Sequence, residues 1–402
     1  MRSFLAVLVG KTARFLLRRV RRGGGSAFPG SVAAFIDPNL LKRAIDSAPM
    51  GLVVVSGSAG KSSTTQILVS LLRAHGLKVF TNPSTANIKQ GLYAAILQFG
   101  DHLGRIDADI VVLEWDEGHG AALAKRLKPK LAILTNVFSD QLDRFIDPEL
   151  VSEKLREIHD QSSRVVLNGD DKNLTQFAEK EKVKAFSLAR AIKDRPVYAL
   201  NFGPEPIIDS SVEVTSVNPG NVELATSGQI LSFATQADAV HQAMNLAAAV
   251  AGLEELIKPD WTTVTKTVNS LPPVFARDEI ADIRGRRVRL MLVQNPTSFA
   301  LNLEEISGKE QPLMLMAGGD IHDPSWLWTV DFSKLDYVDV VGGRNANELA
   351  LRLRYQGVVV GAVETEADKS SELFLSLPGE NPTILFSADA MRRTRRYLGL
   401  AK

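Results

Sequence analysis

Hydrophobic and polar positions follow two rhythms along this chain. Short apolar runs occur at 52–55, 78–81, 110–113, 131–135 and 165–168. Between them, apolar residues recur every three or four positions. The short runs suit strands buried on both faces, and the periodic stretches suit helices. Strand and helix in alternation predict an α/β fold, a parallel sheet with helices on both faces. Residues 196–235 change character. Val212/Val214, Val222/Leu224 and Ile230/Phe233 lie between Asn-Pro-Gly and Ser-Gly turns, which predicts a small antiparallel excursion. From 241 the chain is helical again and Ala-rich. Leu271-Pro272-Pro273 reads as a boundary. Beyond it, runs at 288–293, 313–316, 337–341, 358–360 and 383–386 predict a second, smaller α/β domain. The expected organisation is an N-terminal segment 1–48, a central domain 49–272 and a C-terminal domain 273–402.

The N-terminal segment has its own pattern. Leu5, Leu8, Val9, Leu16 and Val20 fall near one helical face, and Lys11, Arg14, Arg18 and Arg22 near another. Gly23-Gly24-Gly25-Ser26 ends the helix. Residues 1–30 hold seven basic residues and no acid, although the whole chain has a net charge of only +1. Overall charge therefore gives no reason to expect nucleic acid. Such a helix either lies on an anionic membrane surface or packs on the domain with a solvated basic face. It is too short and too charged to span a bilayer. Lys11 and Arg14 also interrupt it as a signal peptide. Cysteine is absent, which removes disulfides, thiolate zinc sites and thiol nucleophiles. That absence fits a cytoplasmic protein, and the helix would place it at the inner membrane face.

The chemistry begins where the first strand ends. Ser56-Gly57-Ser58-Ala59-Gly60-Lys61-Ser62-Ser63-Thr64-Thr65 is followed by Ile67, Leu68, Leu71 and Leu72 at helical spacing. Strand, small-residue loop and helix form a phosphate site. Glycines let backbone N–H groups turn onto phosphate oxygens, and the helix N-terminus adds positive charge. Gly57, Ser58, Ala59, Gly60, Lys61, Ser62 and Ser63 would cradle ATP. Lys61 would reach the β/γ-phosphates and the Ser62 hydroxyl would bind Mg2+. A second candidate is Val111-Val112-Leu113-Glu114-Trp115-Asp116-Glu117. Its three acids follow a strand's carboxyl end, where open α/β sheets bind ligands, and one of them can hold the metal. The bland alternatives are a Gly/Ser turn with a chance lysine, and solvated loop acids.

The loop spacing, Gly57-x-x-Gly60-Lys61-Ser62-Ser63, is shorter than G-x-x-x-x-G-K-[ST]. It resembles the G-T-x-G-K-[ST]-[ST] loop of the Mur ligase family, in which Glu114 would be the magnesium ligand. Leu134–Phe145 resembles the family's T-N-x-x-x-D-H-L-D segment with Gln141 for His, a replacement typical of the MurT branch. The likeness implies that Asn136, Asp140 and Asp143 shape the γ-phosphate and acceptor side. It also puts Lys154 near a position where many members carry a carbamylated lysine. Asn168-Gly169-Asp170-Asp171 resembles N-x-D-D. His241–Asn245 resembles Y-N-x-x-N, whose last Asn contacts the purine, here Asn245. Phe275–Glu279 resembles G-R-x-E, whose Arg contacts phosphate, here Arg277. Gly319–Phe332, with His322-Asp323-Pro324-Ser325-Trp326-Leu327-Trp328, resembles the MurT signature A-D-G-R-D-V-S-W-x-W-D-V-D-F. Leu292–Phe299, holding Asn295, resembles L-V-K-N-P-A-G-F. Gly342–Asn345, Leu351–Gly357 and the N-terminal Gly10-Lys11, Phe28-Pro29-Gly30 and Ile36-Asp37-Pro38 extend the resemblance to nearly the whole chain.

The resemblance implies a Mur ligase-type central P-loop domain with a smaller C-terminal α/β domain. It implies an enzyme that uses ATP and Mg2+ to turn the D-glutamate α-carboxylate of the lipid II stem peptide into an acyl phosphate. Ammonia then gives D-isoglutamine. The ammonia would come from a GatD-type glutaminase, because this chain has no cysteine nucleophile. Lys61, Glu114 and Asp323 would be the catalytic residues, Asp323 by completing the partner's Cys-His pair. Closure of the two domains would bring Arg277 and Asn295 to the phosphates. Two departures stand out. The four-cysteine zinc ribbon of many members has no counterpart in 196–235, so no zinc is expected. Ala317-Gly318-Gly319 stands near the place of Asn-Asp-Asn, and His322 replaces Arg. The loop position at 57 leaves no room for the UDP-binding domain of ordinary Mur ligases, which suits a lipid-linked substrate and peripheral membrane contact. Two other readings remain: a self-sufficient Mur-type ligase using free ammonia or an amino acid, and a nucleotide-binding scaffold without ligase chemistry.

Overall fold

A computed structural model describes residues 2–20, 27–82, 89–138, 148–178, 181–192, 196, 198, 210–218, 220–234, 240–271, 277–293, 296–304, 306, 310–319 and 324–400. These fall into two compact units, one up to residue 271 and the other from 277 onward.

The first unit opens with helices α1 (Arg2–Val20), α2 (Ala27–Ile36) and α3 (Leu40–Asp46). Strand and helix then alternate through β1 (Leu52–Ser56), α4 (Lys61–Ala74), β2 (Val79–Thr81), α5 (Lys89–Phe99), β3 (Ile110–Glu114), α6 (Glu117–Leu127), β4 (Leu131–Leu134), α7 (Pro148–Gln161), β5 (Arg164–Asn168), α8 (Lys172–Thr175) and β6 (Val183–Leu188). Strands β7 (Ser210–Asn218), β8 (Asn221–Thr226) and β9 (Gln229–Ala234) follow, and helices α9 (Val240–Leu256) and α10 (Trp261–Ser270) close the unit. The nine strands form one sheet in the order β2-β3-β1-β4-β5-β6-β7-β8-β9. β2 to β7 run parallel, and only the pairings β7–β8 and β8–β9 are antiparallel. The antiparallel excursion expected over 196–235 is therefore, in its described part, the edge of the main sheet. The pattern missed β6, whose pairing with β7 makes that continuation. β1 sits centrally and is buried along its whole length, as an uninterrupted Leu-Val-Val-Val run requires.

The Ala-rich stretch has a packing reason. Ala247, Ala248, Ala249 and Ala251 of α9 are buried. Gly252 lies so close to Ile133 that an added Cβ would stand 2.5 Å from its Cδ1. Small side chains let α9 approach the sheet and α4 closely.

Helices α1 and α2 pack on each other and on α5, and they do so through small residues. Ala6 and Ala33 are fully buried, and Gly10 faces Leu97. A Cβ on Gly30 would stand 2.1 Å from the Gln90 carbonyl oxygen. The larger apolar residues point the other way: Phe4, Leu5, Leu8, Phe15, Phe28 and Phe35 are exposed. Packing on the domain thus does not bury the Leu5/Leu8 face. Lys11 Nζ reaches the Gly100 carbonyl at 3.1 Å, and Arg14 reaches Gln98 Oε1 at 2.6 Å.

The second unit holds β10 (Arg277–Ile283), β11 (Arg286–Leu292), α11 (Pro296–Glu304), β12 (Leu313–Met316), a 3-10 turn (Pro324–Thr329), β13 (Tyr337–Gly342), α12 (Ala346–Tyr355), β14 (Val359–Glu364), α13 (Ala367–Ser376), β15 (Thr383–Phe386) and α14 (Ala388–Tyr397). Its sheet order is β10-β11-β15-β12-β13-β14, antiparallel only at the β10–β11 hairpin. The apolar pattern missed β10. In the 324–332 segment Leu327, Val330 and Phe332 enter the core, and Phe332 meets Phe299 edge to face. Trp328 instead lies half exposed, against Tyr355 and over the Arg352 guanidinium. A 3-10 turn puts residues three apart on one side. Leu327 and Val330 therefore turn inward together, and Trp328 turns out.

Candidate functional site

Sheet register assembles the site. Val55 of β1 lies beside Glu114 of β3, and Ser56 beside Leu134 of β4. The loop 57–60, the acids 114–117 and Thr135-Asn136 therefore leave the same carboxyl edge as neighbours, where open α/β sheets bind ligands.

Glycine is needed twice in the loop. Gly57 has φ 133° and Gly60 φ 83°, values unfavourable to other residues. A Cβ on Gly57 would stand 2.3 Å from Thr135 Oγ1, and one on Gly60 would stand 2.1 Å from Asn245 Oδ1. The loop is thus pressed between the β4 exit and α9. Its backbone is bound from the β4 side. Ser58 N donates to the Asn136 carbonyl at 2.9 Å. Ala59 N donates to Asn136 Oδ1 at 2.8 Å, and Asn136 Nδ2 donates to the Ala59 carbonyl at 3.2 Å. Thr135 Oγ1 donates to the same carbonyl at 2.6 Å. Phe138 N donates to Ser58 Oγ at 3.1 Å. Asn136 is therefore a brace for the loop backbone. α4 then starts at Lys61 with no side-chain cap and no acid in its first turn, so the positive end of its dipole stands at the loop. Ser62 is partly buried there and Ser63 is buried. Positive-φ glycines, a lysine and a helix N-terminus without acids together fit a triphosphate.

The three acids separate by role. Asp116 caps α6, accepting from His119 N at 3.3 Å. Glu117, in the first turn of α6, is buried and accepts from Lys61 Nζ at 2.7 Å. Lys61 Nζ also donates to the Gly57 carbonyl, and to that of Ser58 at 3.2 Å. Glu114 ends β3, buried, and its backbone is latched by Asn82. Asn82 Oδ1 accepts from Glu114 N at 3.0 Å, and Asn82 Nδ2 donates to the Glu114 carbonyl at 3.2 Å. A magnesium ion carried mainly by phosphates needs only one or two protein oxygens, and Glu114 with Ser62 could supply them. Among the described residues no group of three His, Asp or Glu side chains forms a metal cage.

Asn245 lies in α9 with Oδ1 against Gly60 and 3.5 Å from Thr64 Oγ1. Arg277 opens β10 in the second unit, in register with Met291, and only its backbone is described. Asp140, Asp143, Asn295 and Asp323 lie outside the described residues. Lys154 pairs with Glu157, which Lys125 also reaches at 2.8 Å; the two cations hold that carboxyl below the usual carboxylate range. The structure thus brings together Gly57 to Ser63, Glu114, Asn136 and Asn245, and adds Glu117, Thr135, Asn82 and Asp171. Asp171 Oδ2 accepts from Val137 N at 2.6 Å, and its Oδ1 accepts from Asn173 N and Nδ2 at 3.0 and 2.7 Å. Burial pushes its carboxyl up to about 6 against these bonds. In the sequence Glu117 is only one of three acids that could hold the metal, and Asp171 only part of an N-x-D-D turn. Asn82 has no local signal at all, because its role exists only across the sheet.

Comparison with known proteins agrees with this fold. The Mur ligase middle domain matches residues 55–253, and the MurT ligase C-terminal domain matches residues 292–390. Among solved structures, a pseudomurein peptide ligase type C from Methanothermus fervidus superposes with TM-score 0.70 at 17% identity, covering 90% of this chain and 80% of that one. The MurF ligase of Thermotoga maritima, solved in complex with ADP, gives 0.68 at 19% identity over 92% and 83%. The chain belongs to the Mur ligase family, whose members are ATP-dependent ligases. Within that family it stands in the MurT branch. It is 26% identical to the lipid II isoglutaminyl synthase (glutamine-hydrolyzing) subunit MurT of Streptococcus pneumoniae (strain ATCC BAA-255 / R6), over 89% of this chain and 88% of that one. It is 23% identical to the subunit of the same name from Staphylococcus aureus (strain COL), over 90% and 89%.

Proposed function

We propose that this chain is the synthase subunit of a lipid II isoglutaminyl synthase. The observation that carries the reading is the likeness to two MurT subunits over about nine-tenths of the chain. The phosphate loop supports the ATP half of it. The D-glutamate α-carboxylate of the stem peptide attacks the γ-phosphorus of ATP. An O–P bond forms, ADP leaves, and the product is an acyl phosphate. Ammonia then attacks the acyl carbon, the C–N bond forms, and inorganic phosphate departs. A carboxylate is a poor electrophile, and this sequence replaces its oxygen by a good leaving group. Lys61 and the α4 N-terminus stabilise charge on the transferring phosphoryl group. Mg2+ held by Ser62 and Glu114 would add further charge neutralisation there. Asn136 keeps the loop in shape and Asn245 closes its far side, toward the purine.

The chain contains no cysteine, so it lacks the nucleophile with which thiol glutaminases release ammonia. A GatD-type partner supplies the nitrogen in this reading, and Asp323 completes that partner's Cys-His pair. The test is amidation of lipid II with ATP and glutamine, read by mass, with and without the partner. Both chains should be required. Lys61→Ala should lower amidation by ~10²–10³-fold. Asp323→Asn should abolish the glutamine-driven reaction while sparing ATP binding and amidation by added ammonium. Equal rates with ammonium alone and with partner plus glutamine would favour a self-sufficient ligase. An unaffected Lys61→Ala variant would favour a scaffold.

A further inference from the structure

α1 and α2 are inverted relative to an ordinary surface helix. An ordinary one buries its large apolar residues and shows small and polar ones to water. Here Ala6, Gly10, Gly30 and Ala33 face the protein, while Phe4, Leu5, Leu8, Phe28 and Phe35 face outward, Phe35 at 89% exposure. On α1, Phe4, Leu8, Lys11 and Phe15 recur at spacings of three and four, so they share one side. With Val7, Thr12 and His102 they line an open groove of about 330 Å³. Along the sequence the charge of this segment has one sign: residues 1–30 hold seven basic residues, Arg2, Lys11 and Arg14 of α1 among them, and the first acid of the chain is Asp37. No helix among the described residues is long and apolar enough to cross a membrane.

The geometry points to a docking surface for an anionic lipid bilayer, formed by the outward faces of α1 and α2. Phenylalanine and leucine enter the headgroup–acyl boundary, and the arginines stay at headgroup level against lipid phosphates. A protein partner would need its own acidic face to match a segment that is basic throughout and has no acid before Asp37, whereas an anionic leaflet supplies that charge as its ordinary surface. The fit of Gly10 and Gly30 fixes the orientation. Both helices approach α5 by their small side, so no rotation returns the aromatic side to the core. This inference stands apart from the ligase chemistry, since its readout involves neither ATP nor amidation.

The test is co-sedimentation of the full chain with vesicles of phosphatidylglycerol and phosphatidylethanolamine, against vesicles of phosphatidylcholine alone. Binding should need the anionic lipid and should fall as salt rises toward about 1 M, where the Debye length is about 3 Å. The triple variant Phe4→Gln/Leu5→Gln/Leu8→Gln should weaken partitioning by at least ~10-fold, with an unchanged melting temperature because these side chains are exposed. Arg18→Glu/Arg19→Glu should weaken it by at least ~10-fold at low salt. Failure to bind anionic vesicles overturns the proposal, as does equal binding to phosphatidylcholine. So does a wild-type dimer in light scattering that the triple variant makes monomeric with vesicle binding unchanged, which would give the face to a second copy of the chain.

Discussion

Lys61 and Glu117 form the charged pair that sequence reading did not make. The two side chains lie 2.7 Å apart and mostly out of water. Removing one partner of such a pair leaves a buried charge and costs about 3–5 kcal/mol. Glu117→Gln keeps an oxygen for the lysine to meet, so the fold should survive. The ammonium would lose its charged partner, and kcat for ADP formation should drop about tenfold with a smaller change in the KM for ATP. A variant altered only in melting temperature would make the pair purely structural. Asp171 gives a second prediction at this scale. Its carboxyl titrates near 4 in an unfolded chain and at about 6 in the fold. Between those values the folded chain holds a proton that the unfolded chain has lost. Stability therefore falls as pH rises through that window, by about 3 kcal/mol in all, and the penalty is full above about 6. Asp171→Asn should flatten this part of the stability–pH curve in urea titrations, and an unchanged slope would contradict the assignment. The turn at 57–60 between β1 and α4 was legible because its glycines and flanking apolar pattern are local. Glu117 and Asn82 were not, because each acts on a strand or loop brought near by sheet order.

At the level of elements, small residues decide how the N-terminal helices sit. A Cβ on Gly30 would strike the Gln90 carbonyl oxygen and come within 2.9 Å of Ala94 N, both backbone atoms. On Gly10 it would meet only the Leu97 side chain, at 2.7 Å, and a leucine can change rotamer. Gly30→Ala should therefore destabilise by about 1–3 kcal/mol, and Gly10→Ala by clearly less. Equal shifts in thermal melting would show that α2 moves as freely as a side chain. Helical periodicity located α1 correctly but could not say which side faces the protein. It ranks faces by hydrophobicity, and here contact is set by the closeness that glycine and alanine allow. The sheet edge repeats the lesson. Alternating apolar positions in 210–234 made strands legible, yet the parallel pairing of β7 with β6 is a matter of sheet register, which no local pattern encodes.

On the scale of the molecule, each unit has its own sheet and core, with Val53, Leu68 and Val250 in one and Phe299, Leu315 and Phe332 in the other. Units that share no core give separate cooperative transitions. Calorimetry of the full chain should resolve two transitions, and ATP with Mg2+ should raise the one containing residues 52–271, by an amount set by its occupancy. A single transition moving as a whole would show that the units melt together.

The sequence by itself determined the alternation of strand and helix, the small-residue turn at 57–60 between β1 and α4, the family and the absence of a thiol nucleophile. These depend on period, local spacing and composition, which are written along the chain. Tertiary structure alone decided that Glu117 holds Lys61, that Asn136 braces the loop, and that the aromatic side of α1 and α2 faces out. Each depends on groups far apart in sequence that meet only when sheet register and close helix packing bring them together. The strand, glycine turn and helix around 57–63 could therefore be read from their residues, while the groups that hold Lys61 could be found only in the fold.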